Sequence, residues 1–145
     1  GFTLVEIVVV IALIAGATAL TAGLVSSGLP GQQLRGAARE LAAQMRFARA
    51  QAIVTGEPQV LTLDANKHEW TAPRGRHGEL NDKIEIIAVG ARDDAAGEGV
   101  ATYRFFPDGA STGGHERLRR GDAEWRVDVA WLTGEVALAR GGERP

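Results

Sequence analysis

Cysteine is absent from the 145 residues, so disulfide scaffolds and thiolate metal or redox sites are excluded. That absence fits an oxidising compartment as well as a reducing one. An excess of positive charge is missing too. The formal net charge is −2, which argues against a nucleic-acid binder driven by bulk charge. The length permits one modest domain and an appendage, not two full domains. The last scarcity is local. Of the 34 charged residues only Glu6 lies within residues 1–33, so the front of the chain is a different material from the rest.

What fills that front is apolar. Ile7 to Val25 runs 19 residues without a charge. As a helix it would extend roughly 28 Å, close to the hydrocarbon thickness of a bilayer. A core helix in so small a protein normally keeps a polar face, and this run has none. A cleaved secretory signal would be shorter, would follow basic residues and would end at its small-residue site, whereas the apolar run continues past Ala17-Thr18-Ala19. A single membrane span over residues 1–27 is therefore expected. Ala12 and Gly16, and Ala15, Ala19 and Gly23, form small-residue stripes that permit close approach of helices. The chain starts with Gly rather than Met, so upstream residues are expected. Arg35 and Arg39, just after the span, would by themselves draw its C-terminal side to the cytoplasm, and a short basic leader before Gly1 would reverse that orientation.

Gly28-Leu29-Pro30-Gly31 is expected to interrupt or kink the helix. A second helical segment over 28–56 follows. Leu34, Ala37, Ala38, Leu41, Ala42, Met45, Ala48 and Ala52 recur at steps of three and four, while Arg35, Arg39, Glu40, Arg46 and Arg49 fall largely off that stripe. Gly56 and Pro58 stop it. The stripe is expected to cover one face of the domain's own sheet.

Residues 57–145 read as an antiparallel β head. Gln59–Asp64, Lys83–Val89 and Ala101–Phe106 are short β-rich runs, the last closed by Pro107-Asp108-Gly109. Trp125, Val127, Val129 and Trp131 alternate with Arg126, Asp128 and Ala130, and Val136 and Leu138 return after Thr133-Gly134, which describes a hairpin. Residues 72–82 and 90–99 are expected to be mobile loops, and Trp70, Trp125 and Trp131 to be core. The fold class is α+β, with one long N-terminal helix packed on an antiparallel sheet region.

Glu6 is the residue whose chemistry demands an account. A carboxylate carried to the bilayer centre costs roughly 2.5–3.5 kcal/mol. Either it reaches toward headgroups, or a positive charge arrives at the same depth. Were the chain cut after Gly1, Phe2 would carry a free amine, and the amine of a neighbouring copy could pair with Glu6 and set register between subunits.

Gly1-Phe2-Thr3-Leu4-Val5-Glu6 resembles the processing site of type IV pilins and of the pilin-like proteins of type II secretion. The resemblance implies that a prepilin peptidase cuts after Gly1, that Phe2 becomes an N-methylated terminus, and that Glu6 registers subunits. Leu34–Leu41, Arg46–Ile53, Phe105–Gly114 and Val129–Val136 are similar to segments of the GspH/FimT group, within which the GspH-like minor pseudopilins are favoured. That implies a structural subunit at or near the tip of a periplasmic pseudopilus. Its partners would be other major and minor pseudopilins, the inner-membrane secretion platform and membrane lipid. It would sit as a single-pass protein of the bacterial inner membrane with a periplasmic head, and would have no enzymatic activity and no cofactor. The alternative is a FimT-like minor type IV pilin involved in pilus assembly or DNA uptake. DNA is disfavoured because residues 56–145 carry 12 basic and 16 acidic residues. Their dense basic cluster, Arg117, Arg119 and Arg120, is flanked by Glu116 and Asp122. The tail adds Arg140 and Arg144, diluted by Glu143.

Three chemical patterns are weak. Gly109-Ala110-Ser111-Thr112-Gly113 matches G-x-S-x-G, but Gly113-Gly114 is a poor helix start, and the only later His is His115, with no acid between. The segment is expected to be a flexible loop. His68, His77 and His115 lack metal-ligand spacing, with the first two expected in loops. Asp93, Asp94 and Glu98 lack the alternation of a calcium loop.

Overall fold

The structure, a computed structural model, describes residues 1, 3–89 and 99–141, with the side chains of 18–29 and 89 outside that description. The expected loop at 90–99 and its acidic residues, and also Phe2, Glu143 and Arg144, thus lie almost wholly outside the described residues. The chain forms one helix and eight strands among the described residues: α1 (Leu4–Thr55), β1 (Gln59–Asp64), β2 (Glu69–Ala72), β3 (Arg76–Glu79), β4 (Glu85–Val89), β5 (Val100–Phe105), β6 (Gly114–Arg120), β7 (Ala123–Val129) and β8 (Val136–Arg140). Residues 1–32 and 33–145 are separate compact units.

The Gly28–Gly31 tetrapeptide does not end the helix, because Pro30 lies inside α1. Proline removes one i→i−4 bond, a cost of about 3 kcal/mol that a helix long on both sides of it can absorb. The end at Gly56 is as the residues require. Gly56 adopts φ of 69° and its N–H bonds the Ala52 carbonyl at 3.1 Å, a left-handed cap that suits glycine.

In the second unit the helical stripe is the spine of the core. Leu34, Ala38, Leu41, Ala42, Met45, Ala48 and Ala52 are fully buried, and Ala37 packs at the margin. The helix does not cover a single sheet, as the stripe had implied. There are two antiparallel four-stranded sheets, ordered β3-β2-β1-β5 and β4-β6-β7-β8, and the helix meets both. Arg76 of β3 stacks over the Phe47 ring at 4.4 Å, whereas Trp125 of β7 lies under Arg35 at 5.6 Å. Leu61, Leu63, Tyr103 and Phe105 enter the same core from the first sheet, and Leu118, Val127, Val129 and Val136 from the second.

Residues 72–82 are not all loop: Ala72 closes β2 and 76–79 form β3, while 73–75 and 80–82 are turns and irregular chain. Ala72 pairs with Arg76 across a turn in which Arg74 and Gly75 take φ of 65° and 73°. The turn chemistry and the ladder to β2 hold β3 in place although its side chains are polar. His77 accordingly sits in a strand, while His68 occupies the β1–β2 turn, where its Nε2 lies 2.9 Å from the Ile84 carbonyl. Trp70 is buried against Gly78, where an added Cβ would fall 2.6 Å from its ring. Trp125 is half-buried. Trp131 is not core: β7 ends at Val129, and Trp131 stands 69% exposed in the following turn.

Candidate functional site

Two places concentrate the residues that the sequence singled out. The first is the start of α1. Thr3 occupies the N-cap, and its hydroxyl accepts a hydrogen bond from the Glu6 backbone N–H at 3.3 Å. Glu6 is therefore at N3, where a carboxylate also complements the positive end of the helix dipole. Thr3-Leu4-Val5-Glu6 carries the capping-box pattern, a signal already legible in the sequence. Both side chains are exposed. So is every large apolar side chain from Leu4 to Ile14, at 48% or more. Within this unit nothing described covers them. Removing that surface from water would gain on the order of 10 kcal/mol. Gly1 is exposed beside this turn. The expected span continues into 18–29, whose side chains are not described; among the described residues no helix is long and apolar enough to cross a membrane.

The second place lies in the head. Arg46 and Arg49 leave α1 off the buried stripe and reach two loops that are far away in sequence. The Arg46 Nη2 donates to the Val136 carbonyl at 2.8 Å. The Arg49 Nε donates to the carbonyls of Gly109 and Thr133 at 3.1 and 2.9 Å. Gly134, at φ of 62°, presses so closely on the Gly109 carbonyl that an added Cβ would lie 2.2 Å from it. Three of the segments noted in the sequence, Arg46–Ile53, Phe105–Gly114 and Val129–Val136, thus converge on one pair of guanidiniums. Periodicity could not show this, because it reports which residues are buried and not which loops they tie. A cleft of about 520 Å³ opens here, lined by Arg46, Arg49 and residues Thr133 to Val136.

Ser111 belongs to this region and is no flexible-loop residue. Its hydroxyl donates to the Ala130 carbonyl and accepts from the Gly113 N–H, both at 3.0 Å. Its backbone N–H bonds the Trp131 carbonyl, and it bridges to Phe105. The side chain is buried and occupied in holding the β5–β6 connection to the terminal hairpin.

Two residues of the basic cluster are engaged by neighbouring side chains. Arg117, Arg119 and Arg120 all lie on β6, where Glu85 on β4 pairs with Arg119 at 2.7 Å and Gln33 accepts a bond from Arg120. Glu116, on the same strand, faces inward and is fully buried. It accepts a 2.8 Å hydrogen bond from the Tyr103 hydroxyl, which links the two sheets through the core. Burial pushes the Glu116 carboxyl up to about 7, against the opposing effect of the Tyr103 bond. Burial, with the Glu116 charge beside it, drives the Tyr103 hydroxyl upward as well. His115 is held below its ordinary value by partial burial and by Arg126. Among the described residues no group of three or more acids and histidines is placed to hold a metal ion.

Comparison with known proteins bears on both places. Residues 37–134 match the family model described as "Type II transport protein GspH". The "Type II secretion system protein H" of Xanthomonas campestris pv. campestris is 46% identical over 136 residues, 94% of this chain and 80% of that protein. In fold, the chain is similar to the minor pseudopilin EpsH from the type 2 secretion system of Vibrio cholerae, with a TM-score of 0.61 at 15% identity over 77% of this chain and 99% of that one. It is equally similar to the type IV minor pilin FimU of Pseudomonas aeruginosa, with a TM-score of 0.60 at 13% identity over 79% and 93%. The α+β pilin-like architecture is common to all three.

Proposed function

We propose that this chain, which belongs to the GspH family of type II transport proteins, is a minor pseudopilin that supports protein secretion as a structural subunit at or near the tip of a periplasmic pseudopilus. The observation that carries the reading is the exposed apolar start of α1 in a chain whose other unit is a closed, packed head. Such a helix needs lipid or other helices around it, and an assembling subunit exchanges one for the other. The single-pass inner-membrane location, with the head in the periplasm, follows from this reading. So do the partners: prepilin peptidase, the secretion platform, and other major and minor pseudopilins. Peptidase cleavage after Gly1 and methylation of Phe2 would place a terminal amine near Glu6, and Glu6 would fix register by pairing with a neighbour's amine. The work done is assembly, with no reaction assigned to the chain. The minor type IV pilin alternative shares the fold, but the 46% identity to a type II secretion protein favours secretion. The pairing of Arg119 and the bonding of Arg120 support the same choice over DNA capture.

Deleting the gene and scoring exoprotein release beside transformation tests the proposal. Secretion should fall with transformation intact, and the converse result would overturn it. Complementation with Glu6→Val should give a stable membrane protein whose recovery in sheared or cross-linked filaments drops at least tenfold. Normal recovery would remove the register role.

A further inference from the structure

The cleft beside Arg46 and Arg49 has features that holding the head together does not require. Each guanidinium is fixed by backbone carbonyls, and among the described residues neither has a carboxylate partner. Among the described residues the Nη groups of Arg49 and the Nε and Nη1 of Arg46 make no hydrogen bond and are left to donate. One carboxylate, Glu135, lines the same cleft, so the balance of charge there is positive. The rim is apolar. Trp131 and Leu132 are 69% and 66% exposed immediately before Thr133, and Ile53, also exposed, reaches the Gly109 turn that Arg49 holds. An immobilised guanidinium fork prefers a carboxylate and binds it with little further loss of side-chain entropy. Exposed aromatic and aliphatic side chains around it shield such a pair from water.

We infer that this cleft is a docking site for a segment of a neighbouring filament subunit that carries an Asp or Glu flanked by a large apolar side chain. The acid pairs with Arg46 and Arg49, and the apolar neighbour packs on Trp131 and Leu132. Charge complementarity selects this occupant. A purely apolar segment would leave the guanidiniums unpaired under a dry contact, and a basic one would be repelled. The inference rests on the assembly role proposed above.

Its test uses the full-length chain in its native host, with a photoreactive benzoylphenylalanine in place of Leu132. A second probe replaces Val10 in the apolar helix. The adducts are digested and sequenced by mass spectrometry. The expected product at 132 is another pilin-like subunit, joined within a peptide that contains Asp or Glu. Arg46→Glu should lower its yield at least tenfold, and Lys in place of the identified acid should restore it. Arg46→Gln is too short to reach the Val136 carbonyl, so it removes charge and staple together; it should lower the yield severalfold, and its melting temperature reports the part of that loss that is structural. No adduct at 132, an adduct indifferent to both variants, or an adduct with a second copy of this chain, lipid or secreted cargo would overturn the inference. If the probe at position 10 still captures other subunits in that case, only the cleft assignment fails. If both probes are silent, the assembly role fails with it.

Discussion

The two ends of α1 are both rich in apolar residues and behave in opposite ways. Between Leu4 and Ala17, Leu, Ile, Val and Ala occupy every side of the helix and the large ones are exposed. Between Leu34 and Ala52 the apolar residues keep to one stripe, arginines take the others, and the stripe is fully buried by two sheets. Hydrophobicity alone therefore does not distinguish a core from an assembly surface. The distribution of polar residues around the helix does. A helix with a polar side can satisfy water and a core at once, whereas one without can be satisfied only where no water remains. The difference also explains why the head can be tied by specific polar contacts, such as the Arg49 staple. The first fourteen residues of α1 offer Glu6 as the single charged group for such a contact.

The strongest way to break this contrast is to truncate one residue on each side of it. Phe105→Ala removes a fully buried ring from the head and should cost about 3–5 kcal/mol in a urea melt of the full chain in mild detergent. Ile11→Ala removes a similar aliphatic bulk from an exposed position. It should leave the head's transition within about 0.5 kcal/mol of the wild type. Comparable losses from both would mean that residues 1–32 contribute to the head's core, and the division of labour would be lost.

A second prediction sharpens the comparison by charge. Glu116 holds its proton to about pH 7 in the folded head, against about 4.5 when unfolded. Between those values the folded chain binds more protons than the unfolded one, so stability is greatest at the acid end and falls as pH rises toward 7. The fall is about 3 kcal/mol at most. His115, held low, tilts the curve the other way, so the readout is the difference between wild type and Glu116→Gln. That difference should grow steadily from pH 4.5 to 7, with the Gln variant the more stable at pH 8. Parallel curves would mean that the carboxylate is solvated.

Those same residues show what could be read from the sequence and what could not. The second half of the helix, β1, β5, β7 and β8 announce themselves because each keeps one apolar side at a regular period. β3, with Arg76-His77-Gly78-Glu79, is an edge strand that buries almost nothing, so alternation has no material to act on. β6 reads as a basic cluster because its inward residues are Leu118 and a carboxylate, Glu116, where an apolar side chain would have signalled a strand. Division into two sheets depends on which strands pair across long connections, which local pattern does not encode. At the site, the N-terminal hexamer was visible, as were the three head motifs. Their meeting at Arg46 and Arg49 is a property of the folded chain that no local pattern encodes.

The smallest predicted effect separates two jobs that the hexamer holds together. Thr3 caps α1 by accepting from the Glu6 N–H, a contact that depends on the Glu6 backbone and not on its carboxylate. Thr3→Ala should fray the first turn and cost about 1 kcal/mol locally. This would be visible as faster amide exchange at Glu6 and Ile7, with the head's melting temperature unmoved. Filament recovery should fall no more than about fivefold, the factor that 1 kcal/mol commands. Glu6→Val keeps the cap and removes the charge. If Glu6 matters through register, its loss must exceed that of Thr3→Ala by a clear margin, and Glu6→Gln, which also keeps the cap, must be nearly as damaging as Glu6→Val. Should Thr3→Ala prove the more harmful, helix initiation would be the residue pair's main contribution, and the carboxylate would serve the N-terminus of its own helix rather than a neighbouring subunit.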